Sequence, residues 1–450
     1  MAGLSDAKRQ AMTVLMGHAP EAVLEAIESR FQGAGGGLAA DVVALARGQR
    51  MQRATLRQTF GPLVGLMGPR ADGVSAPSFP RSTLQALWCA VEGQRPELTE
   101  QIALHVRMDP ETAVPADRLD AVCQLAAATV RNVEPASLGL SDAAMADDLA
   151  AFLEMAPIAR KAQGSLADWL GRLDGEQQTV LRLAFKDADR LRVDGGARLM
   201  ELMMAELPRA AEVLRLISAL TDQAPADFID GTELASFPTR LLQQAETLGA
   251  RIQIDPTRIG VSEARAAITH LGQIAVILRE FDLAFPGATG GNWTKRLQVV
   301  RRRLTDQLDT TFRSTPGVVD KALPLGAARL AGRMSRMVPD LAADPDAPSA
   351  HRATALLEIL AGTRSLAADL GCEGTRRTVG EAVAGRVDSY AEEALRMLHD
   401  GDFEDRARAE KLIDMAAEFL SLSRNPEAGA LVRRRMAVAG PTDLEAGNAA

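Results

Sequence analysis

The side chains most able to do chemistry in this sequence are basic residues gathered in two runs. One is Lys295-Arg296 with Arg301-Arg302-Arg303, the other Arg433-Arg434-Arg435. On a helical projection Lys295, Arg302 and Arg313 share a face opposite the stripe Trp293, Leu297 and Leu304. Such a face can hold an anion, an acidic partner or nucleic acid. Asp306 and Asp309 lie on it too, and Arg302 stands four residues before Asp306, at ion-pairing spacing. No aromatic residue is interleaved for base stacking. Lys295, Arg296, Arg302 and Arg303 are therefore the candidate partner-binding residues, and the competing expectation is a solvated helix face.

Other local patterns fail when each position is checked. Gly33-Ala-Gly35-Gly36-Gly37-Leu38 has Leu at the sixth position and follows a helical pattern, whereas a dinucleotide fingerprint needs glycine there and a preceding strand. Gly287 to Lys295 carries Thr294-Lys295 in the wrong order for a phosphate-binding loop. Asp400-Gly-Asp402-Phe-Glu404-Asp405 begins like a calcium loop, but its sixth and twelfth positions are Asp405 and Lys411 instead of Gly and a carboxylate. Asp147-Asp148 lacks a third carboxylate one turn on, since residue 151 is Ala. The five histidines, His18, His105, His270, His351 and His399, are scattered without metal-ligand spacing, and no GxSxG elbow occurs. No catalytic, cofactor or metal site is expected on this basis, and the residues carry no family resemblance.

Composition narrows the class. Apolar residues make up 47% of the 450, charged residues 24%, which suits a globular chain of two or three domains. Ala, Leu, Arg and Glu dominate, whereas aromatics are 4% with one tyrosine, Tyr390, a balance that favours helix over sheet. Only six of the 51 basic residues are lysine, a bias of a GC-rich coding genome more than of chemistry. A net charge of −8 and a pI near 5.4 disfavour nucleic acid as a partner of the whole protein. Cys89, Cys123 and Cys372 are far apart and read as reduced thiols. The first residues carry Asp6, Lys8 and Arg9 with no secretory pattern, and no run reaches the roughly 18 apolar residues of a membrane span, so a cytoplasmic chain is expected.

The elements that must position any site read as helices. Ser5 is a candidate cap for a first helix to about Gly17, and Pro20 opens a second through Phe31. Gly33 to Gly37 makes a flexible joint, followed by a helix over about 38–67 that breaks near Gly61-Pro62. Residues 68–81, with three prolines and two glycines, make the most loop-like segment, expected to be mobile and cut first by trypsin at Arg70 or Arg81.

Three long amphipathic runs follow. Their apolar series are Phe237-Leu241-Ala245-Leu248-Ile252, Val261-Ala264-Ile268-Leu271-Ala275-Leu278, and Trp293-Leu297-Val300-Leu304-Leu308-Phe312, each with steps of three or four. Short connections suggest a central antiparallel three-helix segment. After a proline- and aspartate-rich link, Pro339 to Pro348, four more helices are expected: one capped by Ser349, then about 378–399, 404–424 and 426–438, forming a four-helix bundle-like unit.

The fold expectation is all-α, with regular strand negligible. The domain expectation is an N-terminal helical region over 1–222, a central bundle over 223–345, a C-terminal bundle over 346–440 and a disordered tail over 441–450. Helical stacks present long ridged surfaces without needing a chemical site. The functional expectation is therefore a non-enzymatic adaptor, scaffold or regulatory protein of a bacterial-type cytoplasm, binding another protein or itself. The alternative is an all-α enzyme or small-ligand-binding regulator whose carboxylates and arginines converge from distant helices.

Overall fold

A computed structural model describes residues 4–31, 37–109, 112–164, 174–221, 226–288, 290–329 and 335–439. The joint at Gly33 to Gly36 and the tail from 441 lie outside them. Among the described residues the fold is all-α, with eighteen α-helices and one short hairpin. The chain divides into two units, Met1–Ala224 and Pro225–Ala450.

The first unit holds α1 (Asp6–His18), α2 (Glu21–Arg30), α3 (Leu38–Val64), α4 (Thr83–Gln94) and α5 (Pro96–Met108). It continues with α6 (Ala116–Asn132), α7 (Ala143–Gln163), α8 (Gly175–Leu191), α9 (Gly195–Glu206) and α10 (Val213–Leu220). Starts follow the sequence where a capping side chain is present. Asp142 accepts from the Met145 amide at 2.8 Å to open α7, and Asp174 with Gln177 forms a capping box on α8. Ser5 holds the cap position of α1 but makes no capping hydrogen bond.

Helix α3 packs on α1, α2, α5, α6, α7 and α9. It kinks at Phe60, close to Pro62, as the Gly61-Pro62 pair implies. Proline has no N–H, so the Gln58 carbonyl loses the intrahelical partner it would have at residue 62. Arg160 from α7 takes that place. One nitrogen of its guanidinium donates to the Gln58 carbonyl at 3.2 Å and another to the Thr59 carbonyl at 3.0 Å, while Asp120 of α6 fixes Nε at 3.2 Å. Burial pushes the neighbouring Cys123 thiol up to about 12, so it stays a neutral S–H group directed at the same Thr59 carbonyl at 3.6 Å. One fork thus ties α3, α6 and α7 at the break. Beyond it Gly65 lets α3 approach α9, since a Cβ there would lie 2.3 Å from the Ala205 carbonyl oxygen.

Residues 68–81 carry no helix and only an isolated bridge, Met67 to Phe79. Yet they are anchored. The Arg70 side chain, 8% exposed, bonds Asp72 and donates to the carbonyls of Met204 (2.6 Å) and Leu207 (3.1 Å). Asp72 accepts in turn from the amides of Val74 and Ala210. Burial opposes its ionisation, but Arg70 and these amides outweigh burial and hold the carboxyl below its ordinary value. Val74 and Phe79 are buried.

The second unit holds α11 (Ala226–Asp230), α12 (Ser236–Arg251), α13 (Val261–Ala284), α14 (Asn292–Ala322), β1 (Leu325–Arg329) and β2 (Ser335–Pro339). Then come α15 (Pro348–Gly362), α16 (Glu373–Asp400), α17 (Arg406–Ser423) and α18 (Pro426–Val438). Every member of the first and third apolar series is buried, and of the second only Val261 and Ile268 are half-exposed. Asp230 accepts from the Asn292 amide at 2.8 Å and so caps α14, whose Trp293 packs on Phe281 and Phe285 at ring separations of 5.1 and 5.2 Å. Helices α13 and α14 each pack on α12 and on α15. Helix α16 packs on α14 and α17, α17 also packs on α15, and α18 closes on α17 and α16. Ser349 sits inside the first turn of α15, where Pro348 takes the first position, instead of capping it. Gly401, at φ 80°, ends α16, and Asp405 caps α17.

Strand is slightly more than the sequence suggests. Strands β1 and β2 pair antiparallel, with Leu325 opposite Pro339 and Ala327 opposite Met337. Neither segment alternates clearly between apolar and polar residues, and this hides the pair from a periodicity reading.

Two outcomes test this account of the first unit. Limited trypsin should cut at exposed Arg81 and spare buried Arg70, which mass spectrometry of the first fragments reads directly. Arg160→Ala should lower stability in a denaturant melt by about 1–3 kcal/mol by stranding the Gln58 carbonyl and leaving Thr59 only the weak Cys123 thiol donor, and Arg160→Lys should recover only part, since an ammonium cannot fork between them.

Candidate functional site

The long basic helix is the first place to look, because α14 carries the sequence-derived candidates. Arg296 is already engaged. It grips Glu246 of α12 with two bonds of 2.9 and 2.7 Å, and that guanidinium holds the Glu246 carboxyl below its ordinary value. Arg301 likewise reaches back to Asp282 and the Leu278 carbonyl of α13. Lys295, Arg302 and Arg303 are exposed and make no ion pair among the described residues. The expected Arg302–Asp306 pair is not formed, whereas Asp309 pairs with Arg313 at 3.6 Å. Among the described residues none of the four candidates lines the hollows described below. In the second basic run, Arg433 pairs with Asp414 at 2.6 Å and Arg435 lies 3.9 Å from Glu392.

Two hollows flank α16. On one flank lies a groove of about 840 Å³ between α16, the end of α14 and the hairpin. Leu325, Met337 and Pro339 occupy one face of the hairpin by register, and all three line this groove. Val319 and Leu323 from the end of α14, with Val387 and Tyr390 of α16, complete its apolar wall. Leu325 and Met337 stay 51% and 58% exposed, so the hairpin turns an apolar face to α16 without filling the space. Two ion pairs edge it: Arg336 to Glu393 at 3.0 Å and Arg386 to Asp320 at 2.8 Å. Tyr390 is buried, and its hydroxyl has no hydrogen-bond partner among the described residues. Burial, aided by the charge of Asp340, pushes that phenol up, so it remains a neutral donor.

On the other flank of α16 lies a cleft of about 510 Å³ lined by Arg364, Arg376, Arg377 and Arg424, with Glu381 the one acidic residue of the lining. Glu381 and Gly385 belong to both hollows, which therefore adjoin across one turn of α16. These arginines escaped the sequence reading because they come from three separate stretches, and no local run marks them.

The rejected motifs have structural roles. Asp147 and Asp148 pair with Arg192 (3.3 Å) and Arg198 (2.8 Å). No group of three or more metal-ligating side chains occurs among the described residues, and no helix there is long and apolar enough to cross a membrane. Comparison with family models, curated proteins and solved structures returns no match for this chain.

The two faces of α14 give a direct test of orientation. Leu304, 2% exposed, should cost about 2–5 kcal/mol when truncated to Ala, from lost transfer energy and the cavity left behind. Arg302→Ala should cost under about 1 kcal/mol, as expected of an exposed charge without a partner. Urea melts of both variants check the pair.

Proposed function

We propose that this chain is a non-catalytic helical interaction protein that takes an extended segment of another protein into the groove between α16 and the hairpin. The observation that carries the reading is the unfilled apolar face of Leu325, Met337 and Pro339 above Val387 and Tyr390. Apolar surface left facing a groove gains about 25 cal/mol for each Å² that an occupant removes from water. An extended occupant is favoured by the sheet itself. It has two strands among the described residues, and β2 packs on α16, so β1 has an edge with no strand beside it. A partner strand can add its main-chain hydrogen bonds there while one side chain enters the groove. The ion pairs Arg336–Glu393 and Arg386–Asp320 supply a polar rim, the usual surround of an apolar interface centre.

The setting we infer is a reducing cytoplasm of bacterial type, which suits three free cysteines and an arginine-rich, lysine-poor composition. The net charge of −8 disfavours nucleic acid as the partner. The exposed basic residues Lys295, Arg302 and Arg303, with paired Arg296 beside them, are a secondary contact surface for an acidic region of the same partner. The arginine-lined cleft favours a second, small-ligand-binding role for the same unit.

A photo-crosslinking residue at Met337 of the full chain, expressed in its source cell, tests the groove. One discrete crosslinked protein is expected. Leu325→Asp should abolish its capture without changing the circular dichroism or the melting temperature, because that side chain is half exposed. Undiminished capture by Leu325→Asp, or no crosslink at all, overturns the groove as the docking site.

A further inference from the structure

We infer that the cleft lined by Arg364, Arg376, Arg377 and Arg424 is a binding site for a phosphate-bearing anion of more than one negative charge. Arg364 lies two residues beyond the end of α15, Arg376 and Arg377 lie in the first turns of α16, and Arg424 follows the last residue of α17. Three helix ends thus deliver four guanidinium groups to one concavity, against the single carboxylate of Glu381, a formal +3. Elsewhere in this chain arginines are mostly matched by carboxylates, as Arg296 is by Glu246 and Arg50 is by Glu21, Glu25 and Glu28. Here they are not.

The four divide into two that are held and two that are not. Arg364 donates to the Leu422 carbonyl of α17 at 3.3 Å, and Arg424 lies 4.0 Å from Asp388 of α16, so both are steadied. Arg376 and Arg377 make no ion pair among the described residues, and the buried Nε of Arg376 has no hydrogen-bond partner there. Two guanidinium groups of the lining are thus left without a countercharge, which an oxyanion in the cleft supplies. Guanidinium groups present paired donors that match two oxygens of a phosphate, and a concave wall concentrates their field. Between them the wall is made of Gly380, Ala384 and Gly385, whose lack of long side chains leaves the space open.

Volume and chemistry select the ligand class. About 510 Å³ falls in the roughly 300–1,000 Å³ range of small-molecule sites, more room than a lone halide or carboxylate would use. No aromatic residue lines the cleft, which removes the stacking surface a nucleic acid strand would need. A diphosphate or phosphomonoester group fits the charge. That group can belong to a soluble molecule or to a lipid headgroup.

Pyrophosphate serves as the probe, titrated into the full chain by calorimetry and thermal melting, with chloride added to controls to match ionic strength. Saturable binding and a raised melting temperature are expected. Arg376→Gln combined with Arg377→Gln should weaken binding by at least about tenfold, while Arg251→Gln with Arg258→Gln, exposed and outside the cleft, should leave it unchanged. The unliganded melting temperature of each variant checks its fold, and Arg424→Gln gives an independent single substitution with the same expected direction. Flotation with vesicles of phosphatidylcholine with and without phosphatidic acid separates the sources. Flotation that requires phosphatidic acid and is lost with Arg376 and Arg377 assigns the headgroup, and pyrophosphate binding without flotation assigns a soluble ligand. A response to pyrophosphate no greater than to matched chloride, or equal binding by the Arg376/Arg377 variant, overturns the site.

Discussion

The second unit depends on one constraint, the burial of the apolar stripe of α14. Trp293, Leu297, Val300, Leu304, Leu308 and Phe312 lie on one face of a 31-residue helix, and all six are buried. Each contributes about 1.5–3 kcal/mol by leaving water, so no other orientation of this helix competes. Fixing that face decides the rest. It seats α12 and α15 against the helix, turns Lys295, Arg302 and Arg303 outward, and delivers the chain at Leu323 to the hairpin beside α16. Arg160 has the corresponding part in the first unit, where a proline kink in α3 would otherwise leave backbone carbonyls without donors.

Helix α16 turns that scaffold into surface. Its buried residues, Val379, Val383, Val387, Tyr390, Ala394 and Leu398, recur every three or four positions and commit one face to the core. Beside that stripe Gly380, Ala384 and Gly385 carry little or no side chain, and hollows form where neighbouring elements do not close on them. The hairpin stands off one flank and three helix ends converge on the other. Two chemically different concavities, one apolar and one cationic, thus follow from the same short stretch of small side chains.

Most of the fold was legible because helix burial is written locally. The three long apolar series gave their own faces, Gly61-Pro62 marked the kink in α3, and Asp255-Pro256 and Pro286-Gly287 separated the long helices. What was not legible is non-local. The ion pair imagined between Arg302 and Asp306 is absent, although the spacing allows it, because spacing permits a contact without requiring the rotamers that make it. Arg70 sits in a segment whose prolines and glycines announce a loop, yet its two carbonyl partners lie more than 130 positions away. The hairpin lacks a period-two pattern, and its groove exists only once α14, the hairpin and α16 are assembled.

The contrast between the two basic features is the sharper lesson about function. Density in sequence pointed to Arg301-Arg302-Arg303, but consecutive residues on a helix point about 100° apart and cannot converge on one ligand. Arg301 turns to Asp282 while Arg302 and Arg303 spread into solvent. Arg364, Arg376, Arg377 and Arg424 are diluted over 61 positions, yet helix ends bring them to one concave wall. Charge on an exposed face is screened within about 10 Å at ordinary ionic strength, whereas charges facing one another across a cleft act on the same bound group. An acidic protein of net charge −8 can therefore hold a strongly cationic site, because recognition is set by the few groups that surround a ligand and not by the sum over the chain.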